Sequence, residues 1–190
     1  MKSMLRILGV DPGSRITGYA FIETPVYPVV RLQQCRILDA GVIRTQIDQS
    51  FERRIGDLHD ALYSLVQEYN PEYGVFEDGF CHKNFRSALK LAQARGALTT
   101  ALTRSKTSVF EVSATEVKKA IAGNGHARKE QVAQALELCM QFKKGKQPFD
   151  VTDALAIAVT FAMTPRPQKG EPHVKKTRNR RSMQPIAYPM

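Results

Sequence analysis

Hydrophobic and polar positions alternate with two different periods along the chain, and near its start the pattern predicts strands. An apolar run ends at Asp11 and a second covers Ile16–Ile22, with a Pro-Gly pair between them. This is typical of two antiparallel strands joined by a tight turn. A third strand is expected within residues 29–45, bent or bulged around residues 39–41. The fold is therefore predicted to open with three antiparallel strands.

Farther along the chain, the period lengthens and predicts helices alternating with short strands. Residues 51–69 carry apolar side chains three and four positions apart, after a capping Ser50. Further helices are expected at residues 84–104, 114–122, 129–142 and 149–163, and short buried strands at 73–76 and 109–112. This order predicts an α/β fold with a mixed central sheet, in which the three antiparallel strands are followed by parallel strands flanked by helices.

The composition changes at residue 164, which divides the chain into a predicted domain at 1–163 and a tail at 164–190. The 27 residues of the tail hold five of the ten prolines, seven Lys or Arg and one acidic residue. Such a segment cannot bury an apolar core, so we expect it to be disordered. It either adds sequence-independent phosphate contacts or only solubilises the protein.

The overall charge points to a polyanionic partner. The 190 residues carry a formal net charge of +10, which alone does not distinguish DNA, RNA and an anionic membrane surface. The sequence has no apolar run of membrane-spanning length and no signal-peptide pattern at its start. Its three cysteines are widely spaced, so neither a disulfide framework nor a zinc site is indicated. A cytoplasmic protein without a membrane segment is expected.

Four acidic residues carry the candidate chemistry. Asp11 and Glu77 each follow a predicted buried strand, and Asp150 and Asp153 share one face of the last helix. Taken singly, Asp11 could only begin a turn and Asp150 could only favour the helix dipole. If all four converge, each pair at ~4 Å repels by about 4 kcal/mol at an effective dielectric constant of ~20, so the cluster needs bound cations.

The donor set indicates which cations these are. Carboxylate oxygens without His or Cys favour Mg²⁺ or Mn²⁺ over zinc. A pair of such ions about 4 Å apart suits the attack of water on a phosphodiester. The acidic residues therefore predict a metal-dependent nuclease.

The sequence resembles the RuvC family of Holliday-junction endonucleases, which have the ribonuclease-H-like fold. The resemblance covers roughly residues 5–163. It rests on ordered motifs at Gly9–Tyr19, Glu77–Phe80 with Lys83 and Asn84, Ser87–Gly96, Val117–Lys118, Gly123–Gly125, Lys129–Val132 and Asp150–Ala156. An opening Asp-x-Gly motif alone also occurs in actin-like ATPases, so the later motifs carry the assignment.

The resemblance implies a role for each matching residue. Asp11, Glu77, Asp150 and Asp153 would be the catalytic metal ligands for two Mg²⁺ ions, for which Mn²⁺ can substitute. Lys118 and Lys129 would act at the scissile phosphate, and Phe80 would stack at the opened centre of the junction. The remaining expected DNA contacts are Lys83, Asn84, Arg86, Lys119 and Arg128.

The resemblance also implies partners and products. Family members are homodimers that cut symmetric strands of a four-way junction, leave 5′-phosphate and 3′-hydroxyl ends, and work with the RuvA and RuvB branch-migration proteins. The helix at 84–104 is the expected dimer element, and a polar residue at Leu91 is expected to yield monomers. Asp78, beside Glu77, departs from the family pattern and is expected on the opposite face of its strand.

Other functional classes stay open at this point. An actin-like or sugar-kinase-like ATPase would need a second domain and a second phosphate loop, and the sequence has neither. A non-catalytic junction-binding protein, or a related nuclease acting on other branched DNA or on RNA, is compatible with the same fold. The preferred cleavage sequence, the physiological metal and the need for partner proteins are not encoded in any recognisable pattern.

Overall fold

The computed structural model describes residues 4–25, 28–79, 85–140 and 149–165. These residues form a five-stranded sheet, five α-helices and a short 3₁₀ turn at Leu32–Gln34. The strands are β1 (Leu5–Asp11), β2 (Ile16–Thr24), β3 (Arg36–Arg44), β4 (Tyr73–Asp78) and β5 (Ser108–Ser113). The helices are α1 (Phe51–Tyr69), α2 (Phe85–Arg104), α3 (Ala114–Ala122), α4 (Lys129–Met140) and α5 (Phe149–Met163).

The sheet has the strand order β3-β2-β1-β4-β5. Strand β1 pairs antiparallel with β2, and β2 pairs antiparallel with β3, whereas β1, β4 and β5 run parallel. The mixed sheet predicted from the sequence is therefore confirmed. Strands β1 and β4 are parallel neighbours, and Val10 pairs with Phe76. The residues that follow, Asp11 and Glu77, therefore lie side by side at the C-terminal ends of these two strands.

Each face of the sheet packs against its own layer of helices. Ile7 and Val75 face the core formed with α3, α4 and α5. Leu8 and Phe76 face the opposite core, formed with α1 and α2. Since successive side chains of a strand point to opposite faces, Asp11 and Glu77 lie on the α5 side.

Helix α5 lies unusually close to the sheet because two strand residues have no side chain. A Cβ atom at Gly9 would lie 2.1 Å from the carbonyl oxygen of Ala154, and one at Gly18 would lie 2.0 Å from that of Asp150. Almost every residue of α5 is buried. The two glycines thus allow backbone-to-backbone packing, and this packing fixes the first turn of α5 over the end of β1.

Strand β3 starts later than its composition predicts. It begins at Arg36 rather than near residue 29, because the preceding backbone is satisfied locally: the Gln34 side-chain oxygen accepts hydrogen bonds from the amides of Val30 and Arg31. The observed bulge lies one residue before the predicted position at residues 39–41. Phe21 pairs with Asp39 and Ile22 with Ile37, which leaves Leu38 as the extra residue.

The remaining boundaries agree with the sequence pattern where the structure describes them. Helix α1 has the predicted bounds, with the Ser50 hydroxyl accepting a hydrogen bond from the Arg53 amide. Helix α4 is described to Met140 and α2 from Phe85. The predicted end of α4 near residue 142 and nearly all of the tail at 164–190 lie outside the described residues. No helix within the described ranges is both long enough and apolar enough to cross a membrane.

Candidate active site

The four predicted acidic residues meet at the edge of the sheet where β1 and β4 end. Asp11 is the last residue of β1, Glu77 is next to last in β4, and Asp150 and Asp153 lie in the first turns of α5. Burial, and then the negative charges of Asp153, Asp150 and Glu77, raise the pKa of Asp11 from 3.8 to about 7. Asp153, Asp150 and Glu77 are therefore close enough to oppose the ionisation of Asp11.

Glu77 is also close to a second carboxylate, and two nearby lysines partly offset its effect on the pKa of Glu77. Burial and the charge of Asp153 raise the pKa of Glu77, whereas the charges of Lys129 and Lys118 lower it. These electrostatic contributions place both predicted catalytic lysines near the acidic cluster. Their positions follow from α3 and α4, which pack beside α5.

Lys129 makes the closest contact with the cluster. Its Nζ atom donates a hydrogen bond to Oδ2 of Asp153 at 2.8 Å. This bond is the main reason that the pKa of Lys129 is raised, although burial of the amine acts in the opposite direction. The ammonium group of Lys129 thus partly compensates the negative charge of the site.

The chemistry of these side chains fits a divalent cation. The donors are carboxylate oxygens, which hard cations such as Mg²⁺ prefer. In the described part of the chain, however, no three His, Cys, Asp or Glu side chains are gathered as the ligands of one ion. The carboxylates share a site and repel one another there, and a cation would relieve this repulsion.

A small cavity connects the lysines to the acidic residues. Its volume is about 180 Å³, and Glu77, Lys118, Lys129 and Asp153 line it together with apolar residues of α3, α4 and α5. Positive and negative groups therefore face one space, as a site for a phosphate bridged by metal ions requires.

A larger cleft of about 580 Å³ opens from the other side of the same carboxylates. Asp11 and Glu77 line one part of it, and the side chains of α1, α2 and the β1–β2 turn line the rest. The latter include four basic residues that the sequence analysis did not select: Arg15, Arg54, Lys90 and Arg95.

A signal for two of these residues is present in the sequence. Arg54 lies four residues before Leu58 on the buried stripe of α1, and Arg95 lies beside Ala94 on the buried face of α2. A charged residue within an apolar stripe needs a partner or a ligand. Periodicity alone does not identify which of the two it has.

Arg95 connects α2 with the strand that carries Glu77. Its Nη1 atom donates to the carbonyl oxygen of Glu77 at 2.8 Å, and Nη2 donates to Oε1 of Glu111 at 2.7 Å. The guanidinium also lies over the Phe76 ring, 4.9 Å from its centroid. These contacts hold the end of β4 from its backbone and leave the Glu77 carboxylate free to face the site.

The predicted DNA contacts are distributed less compactly. Arg86, Lys119 and Arg128 are exposed, and none of them lines either cavity. Phe80, Lys83 and Asn84 lie outside the described residues. Asp78 is exposed at the end of β4 and, by strand alternation, points away from Glu77, as expected.

Comparison with known proteins gives one consistent family. The family model described as crossover junction endodeoxyribonuclease RuvC matches residues 7–161. The protein of that name from Geobacter sulfurreducens is 40% identical over 158 residues, which cover 83% of this chain and 92% of that protein. The protein from Dichelobacter nodosus is 40% identical over 160 residues, with coverages of 84% and 86%.

Solved structures agree with this result. Thermus thermophilus RuvC in complex with a Holliday junction substrate superimposes with a TM-score of 0.74 at 29% identity, covering 82% of this chain and 92% of that one. The yeast mitochondrial Holliday junction resolvase Ydc2, at 16% identity and a TM-score of 0.59, shares the fold. The predicted ribonuclease-H-like architecture is therefore confirmed. The chain belongs to the RuvC family of crossover junction endodeoxyribonucleases.

Proposed function

We propose that this protein resolves four-way (Holliday) DNA junctions by divalent-metal-dependent hydrolysis of phosphodiester bonds, in homologous recombination and DNA repair. The observation that carries the proposal is the position of Asp11 near Glu77, Asp150 and Asp153 in a chain of the RuvC family: burial, and then these three negative charges, raise the pKa of Asp11 to about 7. The four residues are half-buried, and bound cations would relieve the repulsion among their charges.

The acidic residues would hold the metal, with Mg²⁺ as the expected ion, two ions per site and Mn²⁺ as a substitute. Bound ions of this kind supply the positive charge that activates water and stabilises the leaving 3′ oxygen. Lys118 and Lys129 face the same carboxylates and would offset the charge that develops on the phosphate. The 2.8 Å hydrogen bond from Lys129 orients Asp153.

The proposed contacts with DNA extend beyond this site. Arg86 on α2, Lys119 on α3 and Arg128 just before α4 are exposed, as phosphate contacts require. We also assign DNA contacts to Phe80, Lys83 and Asn84 from the family resemblance alone. The basic tail at 164–190 would add affinity without specificity.

Symmetric cleavage requires two sites, so the proposal includes a homodimer in the cytoplasm that works with RuvA and RuvB. Leu91 lines the cleft beside Asp11 and so is a poor test of the dimer. On the same helix, Phe85 and Leu89 are exposed one turn apart and offer an apolar patch.

The dimer is tested at Leu89. We expect Leu89→Asp to produce monomers in sedimentation velocity experiments, because a charge within the apolar patch disfavours its burial. Leu138→Asp is the matched control, since Leu138 is also exposed but lies on α4. A dimer that persists in Leu89→Asp would remove α2 as the interface.

The function is tested with a synthetic four-way DNA junction, a linear duplex and an RNA–DNA hybrid, each with Mg²⁺. We expect paired symmetric nicks in the junction alone. Asp11→Asn and Asp153→Asn should reduce cleavage by at least about 10³-fold while junction binding persists, because they remove metal ligands and not DNA contacts.

Two other results would change the proposal. Binding of the junction by the wild type without cleavage would indicate a junction-binding protein. Equal cleavage of the duplex or the hybrid would indicate a nuclease for other branched DNA or for RNA on the same fold.

A further inference from the structure

The 580 Å³ cleft beside the acidic site has two parts of opposite charge. Asp11 and Glu77 line the acidic part. Arg15, Arg54 and Lys90 line the basic part, which lies between the β1–β2 turn, α1 and α2. The acidic part belongs to the proposed metal site, whereas the basic part has no role in it.

Arg54 is the most unusual of these residues because its charge is buried and has no counter-ion among the described residues. Its side chain lies in the buried stripe of α1 and is 8% exposed. Its Nε atom donates to the hydroxyl of Thr45 at 3.2 Å, and Nη2 donates to the carbonyl oxygen of Ser14. Both acceptors are neutral, and within the described residues Arg54 forms no salt bridge with a carboxylate.

Arg95 provides an internal comparison in the same cleft. It is buried to the same degree, at 9% exposed, but its guanidinium pairs with the carboxylate of Glu111 at 2.7 Å. A buried charge costs free energy unless it is paired. Among the residues that the structure describes, Arg95 has a carboxylate partner and Arg54 has none.

Two further cations lie near Arg54. Lys90 Nζ lies over the ring of Phe51, 5.3 Å from its centroid, and the Arg54 guanidinium lies 5.8 Å from the same centroid. The Arg15 side chain is exposed in the β1–β2 turn, which Arg54 holds through Ser14. In the part of the chain that the structure describes, neither Lys90 nor Arg15 takes part in a salt bridge.

We infer that Arg54, Lys90 and Arg15 form a phosphate-binding subsite for a phosphodiester that is not cleaved, next to the scissile one on the same DNA strand. The inference rests on the proposed function. One strand of DNA carries a negative charge about every 3.4 Å along the helix axis, so a strand with one phosphate at the acidic residues places another in the adjoining cleft. The planar fork of an arginine suits the oxygens of a phosphate.

This subsite would also position the strand. Arg54 is anchored by the Ser14 carbonyl and the Thr45 hydroxyl, which are hydrogen-bonded to each other, so a phosphate held there has a fixed position relative to the turn that follows Asp11. The subsite is thus a positioning device for cleavage and a source of affinity, and its variants should affect KM more than kcat.

The first test is the salt dependence of junction binding in EDTA, measured for the wild type, Arg54→Gln, Lys90→Gln and Arg15→Gln. For a residue that contacts a phosphate, the slope of log K against log salt should decrease in magnitude by about 1. Arg53→Gln is the matched control, because Arg53 is the neighbour of Arg54, lies on the exposed face of α1 and pairs with Asp57 at 3.2 Å. Its slope should equal that of the wild type.

The second test identifies the phosphate. Junctions carrying a single neutral methylphosphonate at successive positions around the scissile phosphate are bound to the wild type and to Lys90→Gln. One position beside the scissile phosphate should weaken wild-type binding by about tenfold, the loss expected for a hydrogen bond to a charged group. The penalty of the same substitution should be smaller in Lys90→Gln, because one of the three cations that would bind this phosphate is already absent.

The outcomes separate this inference from the proposed function. Unchanged slopes in all three variants, or a methylphosphonate penalty that is equal in the wild type and Lys90→Gln, would overturn the subsite while junction cleavage stands. A wild type that does not bind junctions would overturn both. Arg54 is buried, so circular dichroism first checks that its variant folds; the exposed residues Lys90 and Arg15 keep the test decisive if it does not.

Discussion

Two carboxylates at opposite ends of the sheet have pKa values that are shifted in opposite directions. Glu23, near the end of β2, is buried between the guanidinium groups of Arg36 and Arg6, at 2.6 and 3.1 Å. Hydrogen bonds from Arg36 and then Arg6 lower the pKa of Glu23. Asp11, at the end of β1, lies among other carboxylates, and its pKa rises to about 7.

The difference indicates which charges are structural and which are kept for a ligand. Glu23 has its counter-ions within the protein and joins β2 to β1 and β3. Asp11 has its charge opposed by its neighbours and needs a partner from solution. The arginines of the cleft repeat this contrast, since Arg95 pairs with Glu111 and Arg54 has no carboxylate partner among the described residues. Perturbed pKa values of this kind are typical of functional sites.

The largest expected effect comes from Gly18→Ala, which would break the packing that brings α5 to Asp11. The new Cβ atom would lie 2.0 Å from the carbonyl oxygen of Asp150, so the helix must move. We expect the free energy of unfolding to fall by about 3 kcal/mol, and cleavage to fall at temperatures where the variant is still folded. Urea unfolding and junction cleavage measure the two effects.

Gly56→Ala is the control for this substitution. Gly56 lies in α1, where a Cβ atom would have no other atom within 4 Å, and alanine is the better helix former by about 1 kcal/mol. Its variant should be as stable as the wild type or more so. Equal behaviour of the two alanine variants would show that α5 tolerates a side chain at Gly18.

A smaller effect is expected from Glu23→Gln, which tests the compensated end of the sheet. Loss of the paired charge should lower the free energy of unfolding by about 2 kcal/mol, since removing one member of a buried ion pair leaves its partners unpaired. The loss is smaller than for a fully buried ion pair because Arg36 and Arg6 are partly exposed. Cleavage of the junction should not change, because Glu23 is at the far end of the sheet.

The pH dependence of stability gives the sign of this contribution. Because the folded protein lowers the pKa of Glu23 below 4.5, the stabilisation is fully present above that pH and is lost as the pH falls through the lower value. Urea midpoints should therefore decline less steeply below about pH 4.5 in Glu23→Gln than in the wild type. An identical decline in both proteins would argue against the ion pairs.

The smallest expected effect has the opposite sign and concerns Asp11→Asn in EDTA. Removing one negative charge from the cluster should raise the free energy of unfolding by about 1 kcal/mol, because the remaining carboxylates are no longer repelled by it. Mg²⁺ should then stabilise the wild type more than the variant, since ligand binding to the native state adds to stability. A variant that is less stable than the wild type in EDTA would contradict this account of the site.

Much of this architecture can be predicted from the sequence because local patterns determine it. Residues 51–69 form a helix with the bounds that their apolar spacing gives, and the acidic residues at 11, 77, 150 and 153 meet where the strand and helix ends place them. Strand β3 begins later than predicted because the Gln34 side chain satisfies the backbone amides before it. A side chain that folds back on its own loop leaves no periodic signal.

The basic side of the cleft could not be predicted in the same way. Arg54 and Arg95 both occur within apolar helical stripes, and their sequence context does not separate them. Only the fold reveals that Glu111 on β5, 16 residues along the chain, pairs with Arg95, while Arg54 contacts neutral oxygens. Tertiary contacts determine whether a buried charge has a counter-ion. The presence of a counter-ion therefore cannot be predicted from one segment at a time.

The close packing of α5 on β1 and β2 also bears on the order in which the protein is made. Synthesis proceeds from the N-terminus, so Asp11 and Glu77 leave the ribosome well before Asp150 and Asp153. Until α5 docks, the apolar face of the sheet that includes Ile7 and Val75 is not yet covered by its main packing partner. Two of the four carboxylates are also absent. A chain interrupted before residue 149 therefore lacks α5 from one of its two cores and two of the four proposed metal ligands, so we expect incomplete translation products not to cut DNA.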